Sequence, residues 1–306
     1  MRIVFFGTSA FAVPSLKALA LRGDVVAVVT QPDRPAGRGH RLTPTAVKTA
    51  ALELNLPVLT PARLGGFGEE LRSFAPDLLA VASYGKIIPA AVLAIPRLGA
   101  LNIHPSLLPL YRGATPLQAV LRDGCAETGI TIFSMDAGMD TGDILVQEHT
   151  PIGERDTFGT LHDRLAAASP ALLLRAIDAV AAGTAQRIPQ EGLASPEAIA
   201  RTLTKPLGTA DFEVHWEHSA EQLANMIRSL SPAPAARARI GGVRVKRLAA
   251  HAEPATLNPK CNPGDVVGFK RDAVLVACGE NALAVERVVA PNKPPQTGAV
   301  FMRSVH

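Results

Sequence analysis

Two polar side chains end an apolar strand in the middle of the chain. Ala100–Ile103 is predicted to be a short buried strand, and Asn102 and His104 are two residues apart. Alternate residues of a strand face the same side of its sheet, so both side chains are expected to point the same way. They would lie at the carboxyl end of a parallel strand, where open α/β sheets place their ligand crevices. A hydrogen-bonded polar pair with no other role fits these two residues equally well.

An acidic loop strengthens the catalytic interpretation. Residues 135–143 read Met-Asp-Ala-Gly-Met-Asp-Thr-Gly-Asp and follow a second predicted strand, Thr128–Met135. One carboxylate held beside His104 would orient the imidazole and stabilise its protonated form, which suits acid–base chemistry. Metal binding is the weaker interpretation, because the spacing of calcium-binding loops is missing and no histidine clusters with these acids.

The elements that must position these residues indicate an α/β sheet. Short apolar strands alternate with helical segments, which implies βαβ units with right-handed crossovers. We therefore predict a Rossmann-like, doubly wound parallel sheet. The turn Gly7-Thr8-Ser9 lacks the G-x-G-x-x-G spacing of dinucleotide sites, so an oxidoreductase is disfavoured. The predicted strands are Arg2–Phe6, Val25–Thr30, Pro57–Leu59, Leu78–Ser83 and Ala100–Ile103, and the predicted helices are Ala12–Arg22, Thr45–Leu54 and Gly68–Phe74.

The last third of the chain has a different pattern. A long amphipathic helix over Thr157–Val180 is followed by residues 184–204, whose mixed Pro, Gly, Ser and polar composition is typical of a linker. One helix and five or six short β-branched segments follow, which fit a small, OB-like β-barrel. We predict a catalytic domain over residues 1–183 and a β-barrel domain over residues 205–306.

The excess positive charge lies in this predicted barrel. Residues 1–204 hold 18 basic and 18 acidic side chains, whereas residues 205–306 hold 13 basic and 9 acidic. A basic domain is compatible with an RNA partner, although many surfaces are mildly basic. The three cysteines match neither a disulfide framework nor a metal-binding spacing. No apolar run approaches the ~20 residues of a membrane helix, and no signal peptide is recognised, so we expect a cytoplasmic location.

The polar motifs together resemble one enzyme family. Asn-Ile-His-Pro-Ser-Leu-Leu-Pro at residues 102–109, with Asp-Thr-Gly at residues 140–142, is similar to the folate-dependent formyltransferases. The resemblance extends over essentially the whole chain and is strongest up to about residue 150. It implies 10-formyltetrahydrofolate as the co-substrate that donates the formyl group, with no metal.

The resemblance also implies the site residues. Asn102, His104 and Asp140 correspond to the family's catalytic set, and Asp140 is preferred to Asp136 and Asp143 because it heads the Asp-Thr-Gly run. The turn after the strand and the segment Tyr84–Pro89 correspond to the folate-binding wall. The residues implied in folate binding are Ser106, Leu107, Leu108, Pro109, Tyr84 and Ile88.

A long basic insertion indicates the acceptor. Strands and helices are usually joined by a few residues, yet residues 30–44 form a long connection that carries Arg34, Arg38 and Arg41. Composition alone fits a solvated basic loop better than a binding site. However, Gln-Pro-Asp-Arg-Pro-Ala-Gly-Arg-Gly resembles the insertion of formyltransferases that act on methionyl-tRNA. The Leu-Thr-Lys motif that ends at Lys205 resembles that group's lysine motif, so these four basic residues are implied in tRNA binding.

The resemblance implies transfer of the formyl group to the free amine of initiator methionyl-tRNA for translation initiation. It indicates no membrane partner and no obligate protein partner. Three other functions remain open: a nucleotide-sugar formyltransferase, a formyl-folate hydrolase and a non-enzymatic RNA-binding module. The first two have no need of the basic insertion, and the third leaves the pattern of Asn102, His104 and Asp140 unexplained.

Overall fold

The apolar segments of the N-terminal half form a seven-stranded sheet in the computed structural model. The structure describes residues 1–36, 41–255, 258 and 260–305, without the side chains of Ala36, Arg41 and Arg247. The contacts divide the chain into two units. The first contains Met1–Pro116, Thr128–Pro151 and His162–Thr204, and the second contains Leu117–Glu127, Ile152–Leu161 and Lys205–His306.

Up to residue 204, the described strands alternate with helices as the sequence pattern predicts. The strands are β1 (Ile3–Gly7), β2 (Val25–Val29), β3 (Arg34–Ala36), β4 (Arg41–Thr43), β5 (Val58–Leu59), β6 (Leu78–Ala82), β7 (Ala100–His104), β8 (Glu127–Ser134) and β9 (Ile144–Pro151). The helices are α1 (Val13–Leu21), α2 (Ala46–Glu53), α3 (Gly68–Ser73), α4 (Ala90–Leu93), α5 (Pro116–Arg122), α6 (Phe158–Ala181) and α7 (Pro196–Thr202). No helix in the described parts of the chain is long and apolar enough to cross a membrane.

The sheet of the first unit is doubly wound, with the strand order β5-β2-β1-β6-β7-β8-β9. The pairs β2–β5, β1–β2, β1–β6 and β6–β7 are parallel. Strands β1 and β6 are buried along their whole length, as expected for central strands with both faces covered. The predicted Rossmann-like architecture is therefore confirmed.

The prediction of a purely parallel sheet is wrong at one edge. Strand β8 runs antiparallel to β7, with His104 opposite Thr131 and Leu101 opposite Ser134. The connection between the two strands therefore starts and finishes at the same end of the sheet, where β7 ends and β8 begins. An antiparallel strand added to a parallel sheet is common in folds of this class. It brings the end of β7 next to the middle of β8, so β8 can support the loop that leaves β7.

The second unit contains an antiparallel sheet and two further helices. Its described strands are β10 (Arg237–Ile240), β11 (Val243–Glu253), β12 (Val266–Lys270), β13 (Ala273–Ala277), β14 (Ala282–Val289) and β15 (Gln296–Thr297), and its helices are α8 (Ala220–Ser229) and α9 (Gly298–Arg303). The order is β10-β11-β14-β13-β12, with β15 on β14. The short strands predicted here form an antiparallel sheet, but pairings among the described residues do not close it, so the predicted OB-like barrel is not confirmed.

The segment with linker-like composition, residues 184–204, has regular structure within the first unit. It contains α7, which begins after Ser195, whose hydroxyl accepts a hydrogen bond from the Ala198 amide. Serine followed by proline is a common helix start. The sequence prediction missed it because the composition of the whole segment is typical of a loop. Two isolated β-bridges, Ile144 to Ile188 and Gly113 to Thr204, join its ends to the sheet and its loops.

Candidate active site

Strand β7 places Asn102 and His104 on one face at the carboxyl end of the parallel part of the sheet. Asn102 lies between Val81 of β6 and Phe133 of β8 in the register of the sheet. It is half-buried, whereas His104 is only 4% exposed. The amide of Asn102 can therefore meet a ligand from solvent, while the orientation of the imidazole depends on its protein partners.

Two groups hold the His104 ring. Its Nε2 lies 2.9 Å from the carbonyl oxygen of Tyr111. Because a carbonyl oxygen only accepts hydrogen bonds, Nε2 carries the hydrogen. Nδ1 lies 3.7 Å from Oδ2 of Asp140, too far for a hydrogen bond but close enough for an ion pair. In the neutral ring, the nitrogen free to take up a proton is thus the one that faces the carboxylate.

The main chain fixes the Asp140 carboxylate from the other side. Its Oδ2 accepts a hydrogen bond of 2.8 Å from the Gly113 amide. The backbone of Asp140 has a φ of +55°, a left-handed conformation that costs energy for most residues and that Asp and Asn tolerate best. Asp136 is exposed and binds Thr141 instead. The left-handed backbone of Asp140 therefore places its carboxylate next to the His104 ring.

Gly113 is a point where the chain leaves no room for a side chain. Its φ is +110°, and a Cβ there would lie 2.2 Å from the Thr204 carbonyl oxygen. We expect Gly113→Ala to destabilise the protein by about 2 kcal/mol or more and to displace the amide that binds Asp140. Thermal unfolding measures the first effect. Gly65→Ala is the matched control, because a Cβ at Gly65 meets nothing within 4 Å; equal stability of the two variants would contradict the expectation.

The turn that follows β7 is supported by Thr131 of β8. The Thr131 hydroxyl donates to the Ser106 carbonyl oxygen at 2.6 Å and accepts from the Leu108 amide at 3.2 Å. The amide of Gln147 donates to both Thr131 and the Leu108 carbonyl oxygen. The turn Ser106–Pro109, predicted to be part of the folate wall, is thus rigidly held. Ser106, Leu108 and Pro109 are buried, and Leu107 is half-buried.

The second predicted part of the folate wall begins at Tyr84, which is buried. Tyr84 is 2% exposed, its ring packs edge-to-face on Phe6, and burial raises the pKa of its phenol. Its carbonyl oxygen accepts hydrogen bonds from Thr8 and Gln31. The Tyr84 side chain therefore belongs to the core. Ile88 is also buried, at 6% exposure.

Within the basic insertion, the short strands β3 and β4 pair in antiparallel orientation and form the base of a hairpin. The Arg34 guanidinium donates to Oε1 of Gln31 at 2.7 Å. Arg38 and the side chain of Arg41 lie outside the described residues. An ion pair of 2.8 Å between Lys48 and Asp33 holds the base of the hairpin to α2. Lys205, the fourth predicted tRNA contact, is exposed and is the first residue of the last segment of the second unit.

Two residues that support the loops around Asp140, Thr204 and Gln190, were not predicted from the sequence. Thr204 donates to the Arg112 carbonyl oxygen through its amide at 2.8 Å and its hydroxyl at 3.0 Å, and accepts from the Thr115 amide. Gln190 binds both Arg112 and Asp140. Nothing in the local pattern of residues 184–204 marks these positions. The only signal was the Leu-Thr-Lys motif, which drew attention to Lys205 rather than to Thr204.

No group of three or more His, Cys, Asp or Glu side chains in the described parts of the chain is placed to hold a metal ion. The groups gathered at the end of β7 are instead an amide donor, an imidazole and a carboxylate. Such a set can stabilise an oxyanion and move a proton. This chemistry is that of acyl and formyl transfer.

Similarity to known proteins identifies which group is transferred and which family carries out the transfer. Residues 1–177 match the formyl transferase family model, and residues 206–306 match the model of the formyl transferase C-terminal domain. Methionyl-tRNA formyltransferase of Pelotomaculum thermopropionicum is 44% identical over 308 residues, which cover 99% of this chain and 95% of that protein. The chain belongs to the methionyl-tRNA formyltransferase family. The family predicted from the motifs is thereby confirmed.

Other members of the methionyl-tRNA formyltransferase family are similarly close. The enzyme of Pseudomonas fluorescens strain SBW25 is 45% identical over 295 residues, covering 95% of this chain and 90% of that enzyme. Among solved structures, the N-formyltransferase of Helicobacter canadensis, in complex with folinic acid and dTDP-3-aminofucose, covers 93% of this chain and 98% of its own, with a TM-score of 0.65. At 16% identity this likeness shows the shared fold alone.

Proposed function

We propose that this chain transfers the formyl group of 10-formyltetrahydrofolate to the amino group of initiator methionyl-tRNA in the cytoplasm, giving N-formylmethionyl-tRNA for translation initiation. The observation that carries the proposal is the 44% identity to a methionyl-tRNA formyltransferase across 99% of the chain. The aligned region spans the second unit and the basic insertion as well as strand β7. A folate donor is supported by the folinic acid in the Helicobacter canadensis enzyme.

Asn102 is the proposed oxyanion donor. The free amine of the methionyl group attacks the formyl carbon, and the C=O electrons move to oxygen as a tetrahedral intermediate forms. An amide donor already in place for that oxygen stabilises the developing charge without reorganisation. Asn102 suits this role because it is half-buried in the middle of β7, where β6 and β8 pair with the strand on both sides. Collapse of the intermediate breaks the bond from the formyl carbon to the folate nitrogen.

His104 and Asp140 are proposed to carry the proton. The attacking amine must lose one proton, and the departing folate nitrogen must gain one, so no net proton is consumed. Nδ1 of His104 can hold this proton because Nε2 is occupied by the Tyr111 carbonyl oxygen. The carboxylate of Asp140 at 3.7 Å favours the transient imidazolium. Catalytic contacts of this kind are often long without substrate and shorten in the complex.

The turn Ser106–Pro109 and Ile88 are proposed to line the folate site. Because the carbonyl oxygens of Ser106 and Leu108 are already bound by Thr131 and Gln147, the turn presents a preorganised surface. We propose that Tyr84 supports this surface from the core rather than touching the ligand through its ring. Binding the donor in one orientation supplies rate by bringing its formyl carbon to the amine.

The basic hairpin and the second unit are proposed to bind the tRNA. The proposed phosphate contacts are Arg34, Arg38, Arg41 and Lys205, and OB-like closure of the antiparallel sheet stays part of this proposal.

We expect Arg38→Ala to weaken tRNA binding, because it removes one contact to a phosphate. It should also make the affinity less sensitive to salt, since each lost phosphate contact lowers the slope of log affinity against log salt concentration by about one. KM for tRNA, measured at several salt concentrations, gives both the affinity and its salt slope. Arg175→Ala, on the exposed face of α6, is the control; identical salt slopes for both variants would contradict the prediction.

One assay tests the proposed function against its alternatives. The purified protein is incubated with 10-formyltetrahydrofolate carrying a labelled formyl group, together with methionyl-tRNA, an amino-sugar nucleotide or no acceptor. We expect label on methionyl-tRNA alone. Label on the sugar, or formate released without acceptor, would replace the proposal with a sugar formyltransferase or a hydrolase. Binding of tRNA without any transfer would indicate a non-enzymatic module.

A further inference from the structure

A buried glutamine far along the chain contacts the loop that carries Asp140. Gln190 is 3% exposed. Its amide nitrogen donates to the carbonyl oxygen of Asp140 at 2.9 Å and to that of Gly142 at 2.7 Å. Both donor hydrogens of the side chain are thus used on the main chain of the Asp140 loop.

The acceptor side of the same amide is used as well. Oε1 of Gln190 accepts hydrogen bonds from Arg112, from Nε at 3.2 Å and from a terminal nitrogen at 2.7 Å. Arg112 lies directly before Gly113, whose amide binds the Asp140 carboxylate. The Gln190 side chain therefore joins the loop after β7 to the loop after β8, and both of its donors and its acceptor oxygen are occupied.

The position of Gln190 is itself fixed. The main chain of Ile188, two residues earlier, exchanges two hydrogen bonds of 2.9 Å with Ile144 at the start of β9. Gln190 is thereby attached to the sheet on the far side of the Asp140 loop. Residues 136–139 of the loop are exposed, so the loop has little packing of its own to define its shape.

We propose that Gln190 is a positioning residue that holds the left-handed backbone of Asp140 and so sets its carboxylate beside His104. The inference rests on the proposed function, in which that carboxylate assists proton transfer. Its physical basis is the strained φ of +55° at Asp140, which persists only while the surroundings hold it. Two hydrogen bonds on the carbonyl oxygens of Asp140 and Gly142 provide that restraint.

Two substitutions separate the donor role of Gln190 from its contact with Arg112. Gln190→Leu removes both. Gln190→Glu keeps an acceptor for Arg112 but cannot donate to the two carbonyl oxygens. We expect both variants to lower kcat by roughly a hundredfold, because a displacement of about 1 Å at a catalytic group has this effect. KM for tRNA and for the folate should change far less, since neither surface is touched.

A double variant tests whether Gln190 acts through Asp140. Asp140→Asn removes the carboxylate charge while keeping a residue that tolerates a positive φ. If Gln190 only positions Asp140, adding Gln190→Leu to Asp140→Asn should slow the enzyme little further. Ser169→Ala is the matched control for stability, since it removes a buried hydrogen bond to Ser15 away from the site. It should lower Tm without lowering kcat.

The positioning role also has a readout independent of activity. The ¹⁵N signal of His104 Nδ1 should shift in Gln190→Leu towards its value in Asp140→Asn, because both changes remove the carboxylate from the ring. An unchanged signal, a wild-type kcat, or a Gln190→Leu effect as large in the Asp140→Asn background as alone would overturn the proposal. If the wild type transfers no formyl group, the proposed function fails, and the His104 signal alone decides the role of Gln190.

Discussion

Asn102→Ala is expected to lower kcat by about two to three orders of magnitude, the usual effect of losing one preorganised oxyanion donor. In the proposed role, the Asn102 amide stabilises negative charge that develops on the formyl oxygen only as the reaction proceeds, so its loss should lower kcat and kcat/KM equally. Asn102 is half-buried in the middle of β7 and does not belong to the buried apolar core, so truncation there removes little core packing. The fold should therefore survive, with Tm close to that of the wild type.

Asn102→Asp sharpens this test. The carboxylate has nearly the same shape as the amide, yet it cannot donate and would repel the oxyanion. We expect it to be at least as slow as Asn102→Ala, which no argument from size or packing predicts. Steady-state kinetics with saturating tRNA and folate measure both variants. A kcat within about tenfold of the wild type for Asn102→Ala would show that the formyl oxygen is stabilised elsewhere.

The elements that carry the site could be predicted because their signals are local. Strand β7 is five residues long, and its apolar run with two polar positions at spacing two is visible in the sequence alone. The acidic loop follows its own strand in the same way. What could not be predicted was the direction of β8, because an antiparallel edge strand and a parallel one have the same apolar pattern.

The residues that support the site could not be predicted, for a related reason. Gln190 binds Asp140 across 50 positions, and Thr204 binds Arg112 across 92. Hydrogen bonds between residues so far apart leave no periodicity in the sequence, and glutamine or threonine in a polar segment looks like solvated loop. The composition of residues 184–204 therefore indicated a linker, although Gln190 and Thr204 of this segment bind the loops that follow β7 and β8.

His104→Ala and Asp140→Asn are each expected to lower kcat by at least about a hundredfold, the contribution of a positioned acid–base group. Asparagine is the better replacement at position 140, because alanine would add backbone strain at a φ of +55° to the loss of charge. The asparagine oxygen can still accept the hydrogen bond from Gly113. Its effect on rate would thus report the missing charge rather than a collapsed loop.

The double variant of His104→Ala and Asp140→Asn decides whether the two residues act as a pair. If Asp140 works by stabilising a proton on His104, removing it matters little once the imidazole is gone, and the double variant should be about as slow as the slower single one. Multiplicative losses would instead assign each residue its own proton, with Asp140 deprotonating the amine independently. Single-turnover rates, which exclude product release, make this comparison. Wild-type rates in both single variants would remove the pair from the reaction altogether, leaving Asn102 and reactant positioning as the sources of catalysis.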